Sequence, residues 1–86
     1  MGRKDKLLLR FLSLPKDFTF NETVRLLNDF GFREVGTGKT GGSRVRFKNE
    51  DFPMNIIKFH KPHPESTVKS YVLANIKEIL EECNLL

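Results

Sequence analysis

The chain has no tryptophan, one tyrosine, one cysteine and two histidines. A single cysteine, Cys83, excludes an intramolecular disulfide and a cysteine zinc cluster. A lone thiol fits a reducing compartment, so the cytoplasm is the expected location. Two histidines are an incomplete metal-ligand set, and no carboxylates stand at convincing ligand spacing beside them. Neither a metal nor a cofactor is expected. No apolar run approaches the length of a membrane span. The run Leu7-Leu8-Leu9 is too short for a signal peptide. There are no repeats and no low-complexity tracts.

Other residue types are plentiful. Eight phenylalanines supply most of the bulky core material in a chain of 86 residues. That length suits one domain, expected over residues 1–86, and a domain so small buries a modest fraction of its surface. The formal net charge is +4 and the pI about 9.5. Such a balance supports an anionic partner without separating RNA from DNA or from an acidic protein.

Local patterns predict six elements. Residues 5–14 form a helix with Leu8, Phe11 and Leu12 on one face, Asp5 as a cap and Pro15 at the stop. Thr19-Phe-Asn-Glu22 is a capping box opening a second helix, faced by Phe20, Val24, Leu27 and Phe30. Gly31 suits its left-handed end, and Phe32 the apolar contact that follows. Strands are expected at 32–36, 43–48 and 54–60; in the third, Ile57 and Phe59 face inward with Ile56, Lys58 and His60 outward, or the reverse, because Ile56 and Ile57 are adjacent. The segment 37–42, rich in glycine, is a loop. Residues 49–53 join the second and third strands as a hairpin. His60-Lys-Pro-His-Pro64 is extended. A last helix runs to about Glu82, faced by Val72, Ile76, Ile79, Leu80 and Cys83. Ser70 caps its start, or Asn75 and Glu78 form a capping box there, and Asn84 stops it. Three consecutive strands with short connections make an antiparallel meander. Helices on one face of it give an α+β two-layer sandwich.

The second strand carries the strongest functional signal. Side chains alternate across a strand, so Val45 and Phe47 point one way and Arg44, Arg46 and Lys48 the other. Lys58 joins them from the next strand. A row of cations on an open face suits a phosphate backbone. The plain alternative is a solvated face that discourages sheet-edge aggregation.

The ordered set of motifs resembles the HicA (YcfA-like) toxins of bacterial type II toxin–antitoxin systems. It comprises Leu26-Leu27-Asn-Asp-Phe-Gly-Phe32, then Gly42-Ser43 opening a strand, a strand ending in His60, Pro62-His63-Pro64, and a closing helix with Ile79-Leu80. The resemblance covers residues 19–85. It implies a fold like the double-stranded-RNA-binding domain, with the order α-β-β-β-α, and leaves helix 5–14 as an N-terminal extra. It further implies a ribonuclease that cleaves mRNA without a metal and a HicB-type antitoxin as partner. In that family the catalytic histidine follows the Gly-Ser pair. Here Arg44 follows Gly42-Ser43, and arginine holds its proton too firmly to act as a base. It remains suited to binding phosphate and to stabilising transition-state charge.

Histidine suits proton transfer near neutrality. His60 is therefore the candidate for the catalytic role, with Arg44 as charge stabiliser and His63, three residues on, as a possible pair. The alternative is two surface histidines on a proline-stiffened segment. Lys39 and Ser43 on the glycine-rich loop complete the expected RNA-binding set of Arg44, Arg46, Lys48 and Lys58. Gly38-Lys39-Thr40 imitates a P-loop, but the glycine that signature requires earlier is Arg33 here, and a strand follows. Phe52, in a turn, is a candidate for stacking on a base, contacting a partner or packing as a lid. Two other function classes fit the same residues: a non-catalytic RNA-binding module, and a domain that binds an acidic protein.

Overall fold

The computed structural model describes residues 3–35, 44–62 and 67–86. Its elements are α1 (Arg3–Leu12), α2 (Phe20–Asp29), β1 (Arg33–Val35), β2 (Arg44–Lys48), β3 (Ile57–His60) and α3 (Ser70–Glu82). The strands form one antiparallel sheet in the order β1-β2-β3. The expected α+β sandwich is therefore present, with α2-β1-β2-β3-α3 preceded by α1. The glycine-rich loop, with Lys39 and Ser43, lies outside the described residues, as does His63.

Helix ends follow local chemistry. In the predicted capping box the Glu22 amide donates to Thr19 Oγ1 (3.1 Å), and the Thr19 amide donates to Glu22 Oε1 (2.9 Å). At the other end of α2, Gly31 takes φ +89°. Its amide donates to the Asn28 carbonyl (3.0 Å) and that of Phe32 to the Leu27 carbonyl (2.9 Å), a complete Schellman motif. Asn84, at φ +59°, ends α3 in the same way.

Gly31 also abuts the β2–β3 connection. A Cβ there would lie 3.1 Å from Asn49 Nδ2. That buried amide donates to the Phe30 carbonyl (2.9 Å) and accepts from the Asp51 amide (2.9 Å). Gly31→Ala therefore meets a left-handed backbone and a crowded neighbour together. It should cost about 1–2 kcal/mol, read as a lower urea midpoint at unchanged slope.

Five boundaries differ from expectation, the smallest being β1, which starts at Arg33 and not at Phe32. Helix α1 starts at Arg3, so Asp5 sits inside its first turn and is no cap. It ends at Leu12 because Leu14 turns left-handed, at φ +51°. Strand β3 starts at Ile57 because Pro53 and Met54 lie in a turn. Lys69 caps α3 without a side-chain bond, and Asn75 and Glu78 lie well inside the helix. Ser70 is diverted: its hydroxyl faces the carbonyls of Leu14 and Pro15, 3.4 Å from each.

The core lies between the helices and one face of the sheet. Val45, Phe47, Ile57 and Phe59 point into it from the strands. Leu26, Leu27, Phe32, Leu73, Ile76, Leu80 and Cys83 meet them. The rings of Phe47 and Phe59 stack at 5.9 Å. The inward face of α3 is centred on Leu73, Ile76 and Leu80, with Val72 and Ile79 at its margins. Phe52 is half-buried and packs on the core as a lid. Burial, helped by neighbouring Glu82, pushes the Cys83 thiol up, which makes it a poor nucleophile.

Candidate functional site

Alternation within the strands leaves the other face of the sheet to polar side chains, Val35 apart. The register sets its layout: Arg33 opposes Lys48, Val35 opposes Arg46, Arg46 opposes Lys58, and Arg44 opposes His60. Directly opposed side chains in an antiparallel pair share a face, with Cβ atoms about 4.5–5.5 Å apart. Arg44, Arg46, Lys48, Lys58 and His60 are thereby gathered on one surface. Arg33 joins them from β1. All are exposed except Arg46, which is half-buried.

This layout carries a cost. Arg33 against Lys48 and Arg46 against Lys58 are like charges in direct opposition, which weakens a sheet. Among the described residues the ion pairs are those of Arg10 with Asp17 and with Glu22, and neither involves this face. The Nε of Arg46 is buried without a hydrogen-bond partner among the described residues. A buried unpaired donor costs about 1–3 kcal/mol. An anionic oxygen laid along the face relieves both penalties. Protection of a sheet edge does not account for Arg46 and Lys48, which are flanked by β1 on one side and, for Arg46, by β3 on the other.

Where β3 meets the start of α3 the face opens into a groove of about 440 Å³. Arg44, Lys58, His60 and Lys61 line one side, and Lys69, Tyr71 and Asn75 the other. No carboxylate lines it among the described residues. The Lys61 ammonium lies 5.2 Å from the centre of the Phe20 ring, a cation–π contact. A second cavity, at the other end of the sheet, mixes Arg33 and Lys48 with Glu34, Glu50 and Asp51. The two ends therefore differ in electrostatic character, and the His60 end is the one suited to an anion.

The sequence-predicted residues Arg44, Arg46, Lys48, Lys58 and His60 are thus brought together. Arg33, Lys61, Lys69, Tyr71 and Asn75 were not foreseen. Period-two alternation back from Val35 would have found Arg33. Helical spacing from the apolar face of α3 would have placed Tyr71 and Asn75 on the opposite side. The described residues hold no group of three or more His, Cys, Asp or Glu side chains able to bind a metal ion. None of their helices is long and apolar enough to cross a membrane.

A two-layer α+β domain with a cationic open sheet defines the structural class. Family comparison makes it specific: residues 20–85 match the model of the HicA toxin of bacterial toxin–antitoxin systems. The chain belongs to the HicA toxin family, which assigns it a toxin role and an antitoxin as partner. Comparison with curated proteins and with solved structures found no match. Helix α1 precedes the matched segment.

Proposed function

We propose that the chain is an endoribonuclease toxin that cuts mRNA without a metal and is neutralised by a HicB-type antitoxin. The observation that carries this reading is the row of cations on the central strand, without an ion pair among the described residues, with His60 directly across from Arg44. Arg44, Arg46, Lys48 and Lys58 hold the phosphates of a single strand of RNA, and Lys39 and Ser43, outside the described residues, complete the proposed binding set. His60 takes the proton of a ribose 2′-hydroxyl. The freed oxygen attacks the adjacent phosphorus, and the bond to the 5′-oxygen of the next nucleotide breaks. Arg44 stabilises the charge that builds on the phosphorus oxygens. The leaving oxygen accepts a proton, for which His63 is the candidate donor. The products are a 2′,3′-cyclic phosphate and a 5′-hydroxyl end.

Arginine at position 44 favours one alternative, a chain that binds RNA without cutting it. Incubating the full chain with a mixed RNA in EDTA separates the readings. Retention with fragments is expected. Retention without fragments leaves a binding module, and no retention at low salt leaves a domain for an acidic partner. Arg44→Ala with Arg46→Ala should weaken retention. It should also reduce the slope of log affinity against log salt by roughly 1.4, about 0.7 per lost phosphate contact. An unchanged slope removes the basic strand from the interface.

A further inference from the structure

We infer that the groove between β3 and α3 holds an unpaired nucleobase, stacked on Tyr71 and contacted at its edge by Asn75. The inference rests on the RNA reading above and adds a subsite to it. Tyr71 and Asn75 stand one turn apart on α3, so they share a face of the helix. Both are exposed, Tyr71 by 72%. An aromatic ring left in water has no packing role in the fold. This one lines a groove together with Arg44, Lys58, His60 and Lys69.

Phosphate binding alone has no use for the ring. A nucleotide needs both parts, cations for its phosphate and a flat surface for its base. Single-stranded RNA is held in this way, by basic grooves in which bases stack on aromatic side chains. The Asn75 amide offers a donor and an acceptor together, which matches the edge of a base. A base seated here places its own phosphate toward Arg44 and His60. Tyr71 is thus a positioning residue that sets which nucleotide lies at the cut.

The chain has one tyrosine and no tryptophan, so its intrinsic emission reports on Tyr71 alone. Titrating the full chain with a single-stranded RNA decamer should quench that emission, whereas inorganic polyphosphate should leave it unchanged. Tyr71→Ala should weaken decamer binding, followed by anisotropy, about ten- to a hundredfold. Tyr71→Phe should stay within about twofold of the parent, because stacking needs the ring and not the hydroxyl. The salt slope should be the same in all three proteins, because the ring neutralises no phosphate. Decamer binding with unquenched emission and an unaffected Tyr71→Ala overturns the subsite and leaves the RNA reading standing. Failure of the decamer to bind at low salt overturns both.

Discussion

His60→Ala should lower the rate of RNA cleavage in EDTA by about 10²–10⁴-fold, the range a positioned proton-transfer group supplies. RNA retention should change little, because Arg44, Arg46, Lys48 and Lys58 all remain. The expectation starts from register. His60 stands directly opposite Arg44, and Arg44 occupies the position after Gly42-Ser43 where the family resemblance places a histidine. Opposed residues on one face of an antiparallel pair have Cβ atoms about 4.5–5.5 Å apart. On the proposed reading the imidazole stands one strand over, on the same surface.

That geometry permits a second test, one that a purely structural role for His60 would not pass. Adding Arg44→His to the His60→Ala protein returns an imidazole to the same spot from the neighbouring strand. Cleavage should recover by at least tenfold over His60→Ala alone, while RNA affinity falls with the loss of one cation. Cleavage that survives His60→Ala at full rate removes His60 from the chemistry. Cleavage lost in His60→Ala but not recovered in the double variant restricts the base to the β3 side of the pair.

Features set within a few residues were legible in the sequence. The Thr19–Glu22 box, the left-handed Gly31 and the Asn84 stop each involve groups close together in sequence. Alternation in β3 was legible but its phase was not, because Ile56 and Ile57 are adjacent; the structure turns Ile57 and Phe59 inward. What depended on distant partners was not legible. Ser70 has the chemistry of a cap, but its hydroxyl faces carbonyls more than fifty residues away in sequence. The opposition of Arg44 to His60 depends on how many residues the 49–56 connection consumes, and the Pro53–Met54 turn shortened β3 unannounced. The candidate site followed the same division. Its cationic strand was visible as alternation, whereas the α3 wall with Lys69, Tyr71 and Asn75 was hidden because its place beside β3 depends on tertiary packing.

Phe11→Ala should destabilise the protein by about 3–5 kcal/mol, the usual cost of deleting a buried phenylalanine side chain. Phe11 lies outside the family-matched residues 20–85, so its sequence position suggests an appendage. Its surroundings do not. It is fully buried and meets Phe18, also fully buried, at a ring separation of 6.0 Å. Arg10, its neighbour, pairs with Asp17 (2.9 Å) and Glu22 and lies over the Phe18 ring at 5.3 Å. Although burial pulls its pKa down, the hydrogen bond to Asp17 and the charges of Glu22 and Asp17 outweigh that and raise it, so Arg10 stays charged. Glu22 is also the carboxylate of the α2 capping box, so α1 bears directly on the helix start that the family shares. The chain between α1 and α2 is tied to the approach to α3 as well, through the Val68 amide to the Phe18 carbonyl (2.7 Å) and Thr67 Oγ1 to the Lys16 carbonyl (3.0 Å). At about 0.05–0.15 kcal/mol per residue, a chain of this length has a total stability of about 4–13 kcal/mol. Loss of Phe11 consumes much of that. A urea midpoint well below the parent's is expected, with Phe11→Leu falling between the two proteins. A shift under about 1 kcal/mol for Phe11→Ala would mean that α1 rests on the domain without belonging to its core.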